Sequence, residues 1–466
     1  MEANPVKIPE RSEIMTSPSP KEGLLSRARI TFTLGMLSVM TLVGFEAWAT
    51  ATAMPAMARD LDALSGYTWA FNAYIVASLL AMVIAGLRCD ARGPRGSLVG
   101  GVFALAAGSL IAGFAANYLV FVSGRAIQGV GGGAIIVAVY VLIARAYPES
   151  LRPKAFLLLS TAWVVPSLVG PLVAGWLTDN IGWRAVFWLV PFFVIPPLLL
   201  MIPKLGALQG GTPSTAFARR VVAGIVATIG LVAIQDGLAR ASLMGIVEAL
   251  VGFAALIVAG RHLIPKGALR MARGLPATIM MRGIIAAAFF SAEVFVPLAL
   301  VETRGVSYTV AGLTVAVSAV FWSAGSFAQS RLSGDADRAP IVRLGALITG
   351  VCLLTLPLVV LTSLPVWIAS VSWAMGAFGM GLAMPSVAVQ TLRLSPEADQ
   401  GVNSAALQIV DSALVVAVTA LLGLFYAAAV TGSGATPQTY ALLWILSAIT
   451  AFVGALLAPR MRPSFT

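Results

Sequence analysis

Apolar runs of nearly uniform length recur along this 466-residue sequence, and counting those long enough to cross a bilayer gives fourteen. They lie near 31–54, 69–88, 98–116, 119–143, 154–178, 184–202, 219–239, 242–263, 277–301, 309–330, 340–362, 366–391, 402–429 and 438–458. A tilted helix needs about 20 predominantly apolar residues to span the hydrocarbon. No water is present there to satisfy the backbone, so each run has to bond internally as a helix. The expected fold class is an all-α polytopic membrane protein. Composition excludes a string of soluble domains: 59% of residues are hydrophobic and 11% charged, against roughly a quarter charged in soluble domains. Connections are mostly short, which makes neighbouring spans antiparallel.

Basic residues then set orientation. The formal net charge is +11, which in a soluble protein would point to nucleic acid. Here 24 of the 30 basic residues fall in segments on the side of the N-terminus, including all five lysines. The opposite loops hold four, Arg59, Arg184, Arg240 and Arg304, and two more, Arg125 and Arg282, lie within spans. This positive-inside bias, with an even number of spans, places the N- and C-termini in the cytoplasm and the protein as a multi-pass protein of the inner cell membrane. The partner it implies is the lipid bilayer, with no nucleic acid. Cys89 sits at the end of a span and Cys352 inside another, so no disulfide is expected. Residues 1–28 are polar and proline-bearing, without a signal peptide, and read as a disordered cytoplasmic tail.

Two breaks divide the spans. The segment 203–217 holds Gly210, Gly211 and Pro213, and 265–276 holds Lys266, Gly267, Arg270 and Arg273. The expected organisation is a six-helix bundle (29–202), a cytoplasmic linker (203–217), an inserted helix pair (218–264), a second linker (265–276), a second six-helix bundle (277–459) and a short tail (460–466). Two six-helix halves around a central cavity are a transporter plan, with substrate near the midplane where they meet.

Glu46 is an acid inside the first span, and such a group costs at least ~2.5–3.5 kcal/mol on insertion scales. It is either a fixed partner for another buried charge or a group that takes up and releases a proton. Arg125, in the fourth span, needs an acceptor for the same reason. Counting from the outer span ends, both lie ~9–12 Å deep at 1.5 Å per residue, so they are expected to pair, directly or through Gln128. Three further acids lie clearly inside spans, away from their ends: Glu293, Asp411 and Glu248. Glu293 reads as a cavity-facing cation or proton site and Asp411 as a second proton-coupling candidate. Glu248, in the inserted pair, reads as structural.

The loop after the second span runs Gly86-Leu-Arg-Cys-Asp90-Ala-Arg-Gly93-Pro-Arg95. The fourth span carries Arg125-Ala-Ile-Gln128-Gly129-Val-Gly131-Gly132-Gly133, and the fifth carries Pro166 and then Gly170-Pro171-Leu-Val-Ala-Gly175. Gly182-Trp183-Arg184 and Phe187 open the sixth. Together these resemble the major facilitator superfamily, and within it the fourteen-span drug–proton antiporters. The loop signature departs from the family at Ala91 and Pro94, where basic residues are usual, and its second-half counterpart near Gly334-Asp335-Ala-Asp337-Arg338 is degenerate. Glu46 stands nine residues before Pro55, where the family has an aspartate. The resemblance implies the major-facilitator fold with 14 transmembrane helices (6 + 2 + 6), and a buried arginine beside the proton site. It implies a kinked fifth span and a monomer. Asp90 is then expected to accept hydrogen bonds from a helix N-terminus across the two halves, with Gly93 making the tight turn.

No lysine follows a glycine as a phosphate-binding loop requires, so ATP hydrolysis is not expected. There is no Cys/His cluster, hence no metal and no cofactor. The expected driving force is a proton gradient carried by carboxylates, since burial favours their neutral form and an adjacent guanidinium their charged form. The leading reading is a non-enzymatic, proton-coupled antiporter that exports lipophilic, often cationic, small molecules and so confers multidrug or antibiotic resistance. Its proton-coupling residues are Glu46, Arg125, Glu293 and Asp411. Its cavity candidates are Phe45, Trp48, Tyr74, Gln128, Trp163, Glu293, Trp322 and Gln408. Its gating motifs comprise Gly86, Asp90, Gly93, Arg95, Gly129, Pro166, Gly170, Pro171 and Gly175. A dedicated exporter of an endogenous lipid or metabolite is the alternative. A membrane enzyme or a non-transporting receptor is a distant third.

Overall fold

The computed structural model describes residues 23, 24, 26, 29–148, 151–205, 217–240, 242–331, 337–396, 399–430 and 435–463. Nearly all of the N-terminal tail, most of the 203–217 linker, Gly334 and Asp335 of the degenerate loop, and residues 464–466 lie outside the described residues.

The first six helices are α1 (Ile30–Asp60), α2 (Tyr67–Arg92), α3 (Arg95–Gly113), α4 (Tyr118–Ala146), α5 (Arg152–Asn180) and α6 (Arg184–Leu205). A pair follows, α7 (Phe217–Ala239) and α8 (Leu243–Leu263). Then come α9 (Leu275–Glu293), α10 (Val296–Arg304), α11 (Tyr308–Ser330), α12 (Ala339–Leu361), α13 (Trp367–Leu394), α14 (Gln400–Ala429) and α15 (Pro437–Leu457). α9 and α10 form one interrupted crossing, so the crossings number fourteen. Among the described residues thirteen satisfy length and hydropathy for a span, and the 29-residue, proline-bearing α5 is the other. The protein is an all-helical, multi-pass membrane protein. The start of α1 and the end of α15 mark one face, the terminal face; the opposite is the far face.

Prolines account for the departures from the expected boundaries. The first apolar run stops at 54, yet α1 continues through Pro55 to Asp60. A proline inside a helix removes one N–H and crowds the preceding turn, and here Met54, Met57 and Ala58 are fully buried around it, so packing holds the helix together. α6 likewise continues past Pro203 to Leu205. Buried Met201 anchors that end against Gly35, where an added Cβ would lie 2.3 Å from the Met201 side chain. The ninth crossing behaves the other way: α9 stops at Glu293 and α10 restarts at Val296, with Pro297 in its first turn. Pro297 has no N–H for the carbonyl of Glu293.

Within the first six helices α4 packs on α2 and α3, and α1 on α5 and α6; in the last six crossings α13 packs on α11 and α12, and α9 on α14. Without a hydrophobic driving force between helices in lipid, small residues set how near backbones come. The glycines of α4 do this on two sides. A Cβ at Gly129 or Gly133 would lie 2.2 or 2.4 Å from the carbonyls of Tyr74 and Ser78 on α2, and one at Gly131 would lie 2.3 Å from the Leu105 nitrogen on α3. The inserted pair leans on both bundles through α7, which touches α2 and α14. Gln235 of α7 accepts from Asn72 Nδ2 at 2.5 Å and donates to Thr68 Oγ1 at 3.1 Å, while Asn72 also donates to the Val416 carbonyl of α14 at 3.3 Å.

Gly131→Val puts branched carbon into backbone atoms of α3 and is expected to cost about 1–3 kcal/mol or more by overpacking. Thermal unfolding of the purified protein in detergent checks this, and an unchanged midpoint would contradict the close α3–α4 approach.

Candidate functional site

The buried charge network centres on Arg125. Arg125 is 3% exposed and Glu46 1% exposed, and Arg125 Nη1 donates to Glu46 Oε1. The same nitrogen reaches Gln128 Oε1 at 2.8 Å, Nε donates to the Ala70 carbonyl at 3.1 Å, and the guanidinium lies 4.8 Å from the centre of the Tyr74 ring. Gln128 Nε2 passes the chain on to Ser109 Oγ at 2.7 Å. Four helices thus converge on one cation: α1 gives the counter-charge, α2 a carbonyl and a ring, α4 the arginine and glutamine, and α3 the terminal hydroxyl. Glu46 Oε1 also accepts from Thr50 Oγ1 at 3.1 Å, one helical turn on, whereas Glu46 Oε2 is buried without a partner among the described residues.

The other acids differ from one another. Asp411 Oδ2 accepts from Arg282 Nε at 2.8 Å, joining α14 to α9 as a second embedded ion pair, part-exposed where the first is sealed. Sequence spacing marked Arg282 as lying in a span but found it no partner, because the two residues are 129 positions apart. Glu293 is 7% exposed and makes no hydrogen bond or ion pair among the described residues. Glu248 accepts from Arg240 Nη1 at 3.0 Å, and the same arginine bonds Asp236 at 2.5 Å, which ties the far ends of α7 and α8 together.

The motif residues fall at helix contacts. Gly93 adopts φ +83° as the cap between α2 and α3, Arg95 opens α3, and Gly86 faces Val137 at ordinary contact distance. Asp90 is exposed and reaches no helix N-terminus among the described residues. The carboxylate that does so is Asp179, at the end of α5. It accepts from the backbone nitrogens of Tyr308 (3.0 Å) and Thr309 (2.9 Å) and from Thr309 Oγ1 (2.5 Å), at the start of α11. Beneath it, a Cβ at Gly175 would meet Thr309 Cα at 2.6 Å, and one at Gly312 would meet the Pro171 carbonyl at 2.4 Å. Gly170 touches α1 at Phe45 and Ala49, and Pro166 lies beside Gly44 with Trp163. The glycine–proline face of α5 is therefore shared between α1 of its own half and α11 of the other. Arg59 and Glu302 form a second link at the same end, 3.8 Å apart, and Tyr440 donates to Glu302. Nothing in the sequence spacing singled out Asp179 or Glu302. At the far ends of α1, α3 and α6, Trp183 Nε1 and Arg184 Nη1 donate to Asp60 Oδ2 at 3.1 and 2.6 Å, and Arg184 Nη2 donates to the Ala115 carbonyl at 3.0 Å.

The cavity candidates separate by accessibility. Phe45, Trp48, Tyr74, Trp163 and Trp322 are half-buried and Gln408 is exposed, whereas Gln128 is fully buried with both amide atoms engaged. Gln128 supports Arg125. A groove of about 710 Å³ runs down the side of α2 between α4 and α7, lined by residues such as Trp69, Leu80, Arg88 and Val130, and none of the cavity candidates lines it.

The family model of the Major Facilitator Superfamily matches residues 36–420. The chain belongs to that superfamily. Its curated relatives include the multidrug transporter protein MdtP of Bacillus subtilis, 29% identical over 192 residues, which are 41% of this chain and 35% of that protein. The Acurin A biosynthesis cluster MFS-type transporter of Aspergillus aculeatus is 29% identical over 205 residues, 43% of this chain and 36% of that one. The matched segment spans about a third or less of the length of the curated relatives. Among solved structures, a POT family transporter in complex with a thioalcohol-conjugated peptide superposes with TM-score 0.69 at 16% identity, covering 92% of this chain and 96% of that one. A bacterial homolog of the human lysosomal transporter Spinster, in an inward-facing and occupied conformation, gives 0.66 at 14%, covering 95% and 100%. These likenesses establish the fold.

Removing one partner of a buried pair leaves an uncompensated charge, at a cost of about 3–5 kcal/mol. Arg125→Leu is expected to lower the thermal midpoint sharply, and Arg125→Leu with Glu46→Gln to recover part of the loss. Additive effects in that double-mutant cycle would show that the two side chains do not interact.

Proposed function

We propose that this transporter is a proton-coupled antiporter that exports lipophilic, often cationic, compounds from the cytoplasm, driven by the proton gradient without ATP, and acts as a monomer in the cell membrane. The observation that carries the reading is the sealed Glu46–Arg125 pair, with one carboxylate oxygen committed and the other without a partner. The positive-inside bias makes the terminal face cytoplasmic.

A proton on Glu46 Oε2 removes the counter-charge. Arg125 then retains the Ala70 carbonyl and Gln128 Oε1, and the attraction of α1 for α4 weakens. α1 also touches α5, α10 and α11, so a change at this pair reaches the junction between the halves. That junction is tied at the far face by Asp179 of α5, which accepts from the start of α11, and by Arg59 with Glu302. In the proposed cycle, protonation from outside accompanies release of the exported compound, the halves rock, and the proton leaves to the cytoplasm. The likeness to a multidrug transporter supports export of drugs. The likeness to a transporter from a biosynthesis cluster supports the second reading, an exporter dedicated to an endogenous lipid or metabolite.

Glu46→Gln is expected to abolish proton-driven efflux in cells while leaving the protein folded; resistance to several drugs at the level of the unmodified protein would overturn the reading. Hydrogen bonds to a charged group contribute about 1.5–3 kcal/mol. Asp179→Asn is therefore expected to shift the population toward a far-face-open state by about tenfold or more, read as an increased distance between spin labels on the far ends of α5 and α11. An unchanged distance distribution would show that Asp179 does not hold the closure.

A further inference from the structure

The inserted pair is built differently at its two ends. Toward the far face α7 and α8 are in backbone contact: a Cβ at Gly230 would lie 2.8 Å from the Gly252 carbonyl, and one at Gly237 2.4 Å from that of Gly245. Arg240 then binds both acids of the pair, Asp236 and Glu248. Toward the terminal face the helices part. A Cβ at Gly260 of α8 would meet only Ile264 of its own segment, at 3.7 Å. Here a groove of about 330 Å³ opens between Val222 and Val226 of α7 and Val258 of α8, floored by two buried alanines. Its mouth carries Arg219 from α7 and His262, the one histidine of the chain, from α8. From Arg219 to Val226 the groove reaches ~10 Å inward, within the ~15 Å of hydrocarbon that one leaflet contributes.

The mouth is basic and has no countercharge. Arg261 and Lys266 flank it, and the sequence holds no acid between Asp179 and Asp236 or between Glu248 and Glu293. None of these four basic side chains makes a hydrogen bond or ion pair among the described residues. Cations on this side orient the protein, and those in the last turn of α8 suit its dipole. Neither reason accounts for Arg219. It stands in the first turn of α7, where the dipole opposes a cation and favours an anion. Orientation does not require it to face a histidine across a groove either.

We propose that this groove seats one anionic phospholipid of the leaflet at the terminal face. Its phosphate lies between Arg219 and His262, and one acyl chain runs along Val222, Val226 and Val258. A guanidinium offers phosphate oxygens a planar fork of donors, and the imidazole adds a donor from the second helix. Basic pockets between transmembrane helices suit such headgroups. The valine walls select a lipid over a free phosphate, which would leave them bare. Because α7 touches both α2 and α14, a lipid joining the parted ends of α7 and α8 steadies the element that bridges the two bundles. The proposal stands independently of the exporter reading.

Native mass spectrometry of the full chain in detergent, titrated with dioleoylphosphatidylglycerol or dioleoylphosphatidylcholine, provides the test. The unmodified protein is expected to hold one phosphatidylglycerol about tenfold or more tighter than phosphatidylcholine. Arg219→Gln with His262→Gln is expected to abolish that preference. Val258→Trp fills the groove at an exposed position while keeping the charges, and is expected to weaken phosphatidylglycerol by a similar factor. Arg270→Gln with Arg273→Gln removes two basic residues outside the groove and is expected to change nothing. Equal affinity of the unmodified protein for the two lipids would overturn the proposal. So would equal weakening in the two double variants, which marks diffuse surface attraction, or unimpaired binding to Val258→Trp. Displacement of the lipid by inorganic phosphate would also overturn it, making the mouth a site for the ion alone. Gel filtration and a thermal melt of each variant separate lost binding from misfolding.

Discussion

A guanidinium kept from water has to be surrounded by acceptors, and in a bilayer those acceptors come from neighbouring helices. Arg125 imposes that requirement on the first half of the molecule. Its acceptors belong to α1, α2 and α4 itself, so the three helices must lie at fixed heights and rotations about it. The glycines that follow Arg125 on α4 make the approach sterically feasible, since side chains there would collide with the carbonyls of α2. Charge and small-residue packing are therefore one constraint: the network needs closeness, and the glycines allow it. A well-connected buried network is worth more than separate pairs, while one unsatisfied member is costly. Glu46 Oε2, buried without a partner among the described residues, stands out against that background.

Much of the architecture was legible from residues taken singly. The length of each apolar run and the side on which the lysines and arginines collect need no knowledge of neighbours. The pairing of Glu46 with Arg125 was accessible for a related reason, because depth in a membrane can be counted along two helices separately and then compared. Partners set by lateral packing could not be read this way. Ser109, Thr50 and the Ala70 carbonyl are ordinary polar groups until the helices are placed side by side, and Arg282 and Asp411 meet only because α9 packs on α14.

Prolines show the same limit. Pro55 and Pro297 carry an identical chemical deficit, a missing N–H. The first is absorbed in a continuous helix wedged among methionines, and the second coincides with a break that ends α9 at a carboxylate. What distinguishes them is the packing that surrounds each. The loop signature gave a similar half-answer. It located the turn at Gly93 correctly, but the acid that engages a helix start across the two halves is Asp179, at the opposite end of the bundle.

That contact is chemically lopsided. On the α5 side it depends on one particular side chain, while on the α11 side the donors are mostly peptide nitrogens, which every residue except proline provides. Substitutions at positions 308 and 309 would leave most of the contact standing, whereas a change at 179 removes all of it. The strength of this far-face contact is thus adjustable from one codon, and a lineage could retune it without altering the helix that receives the carboxylate.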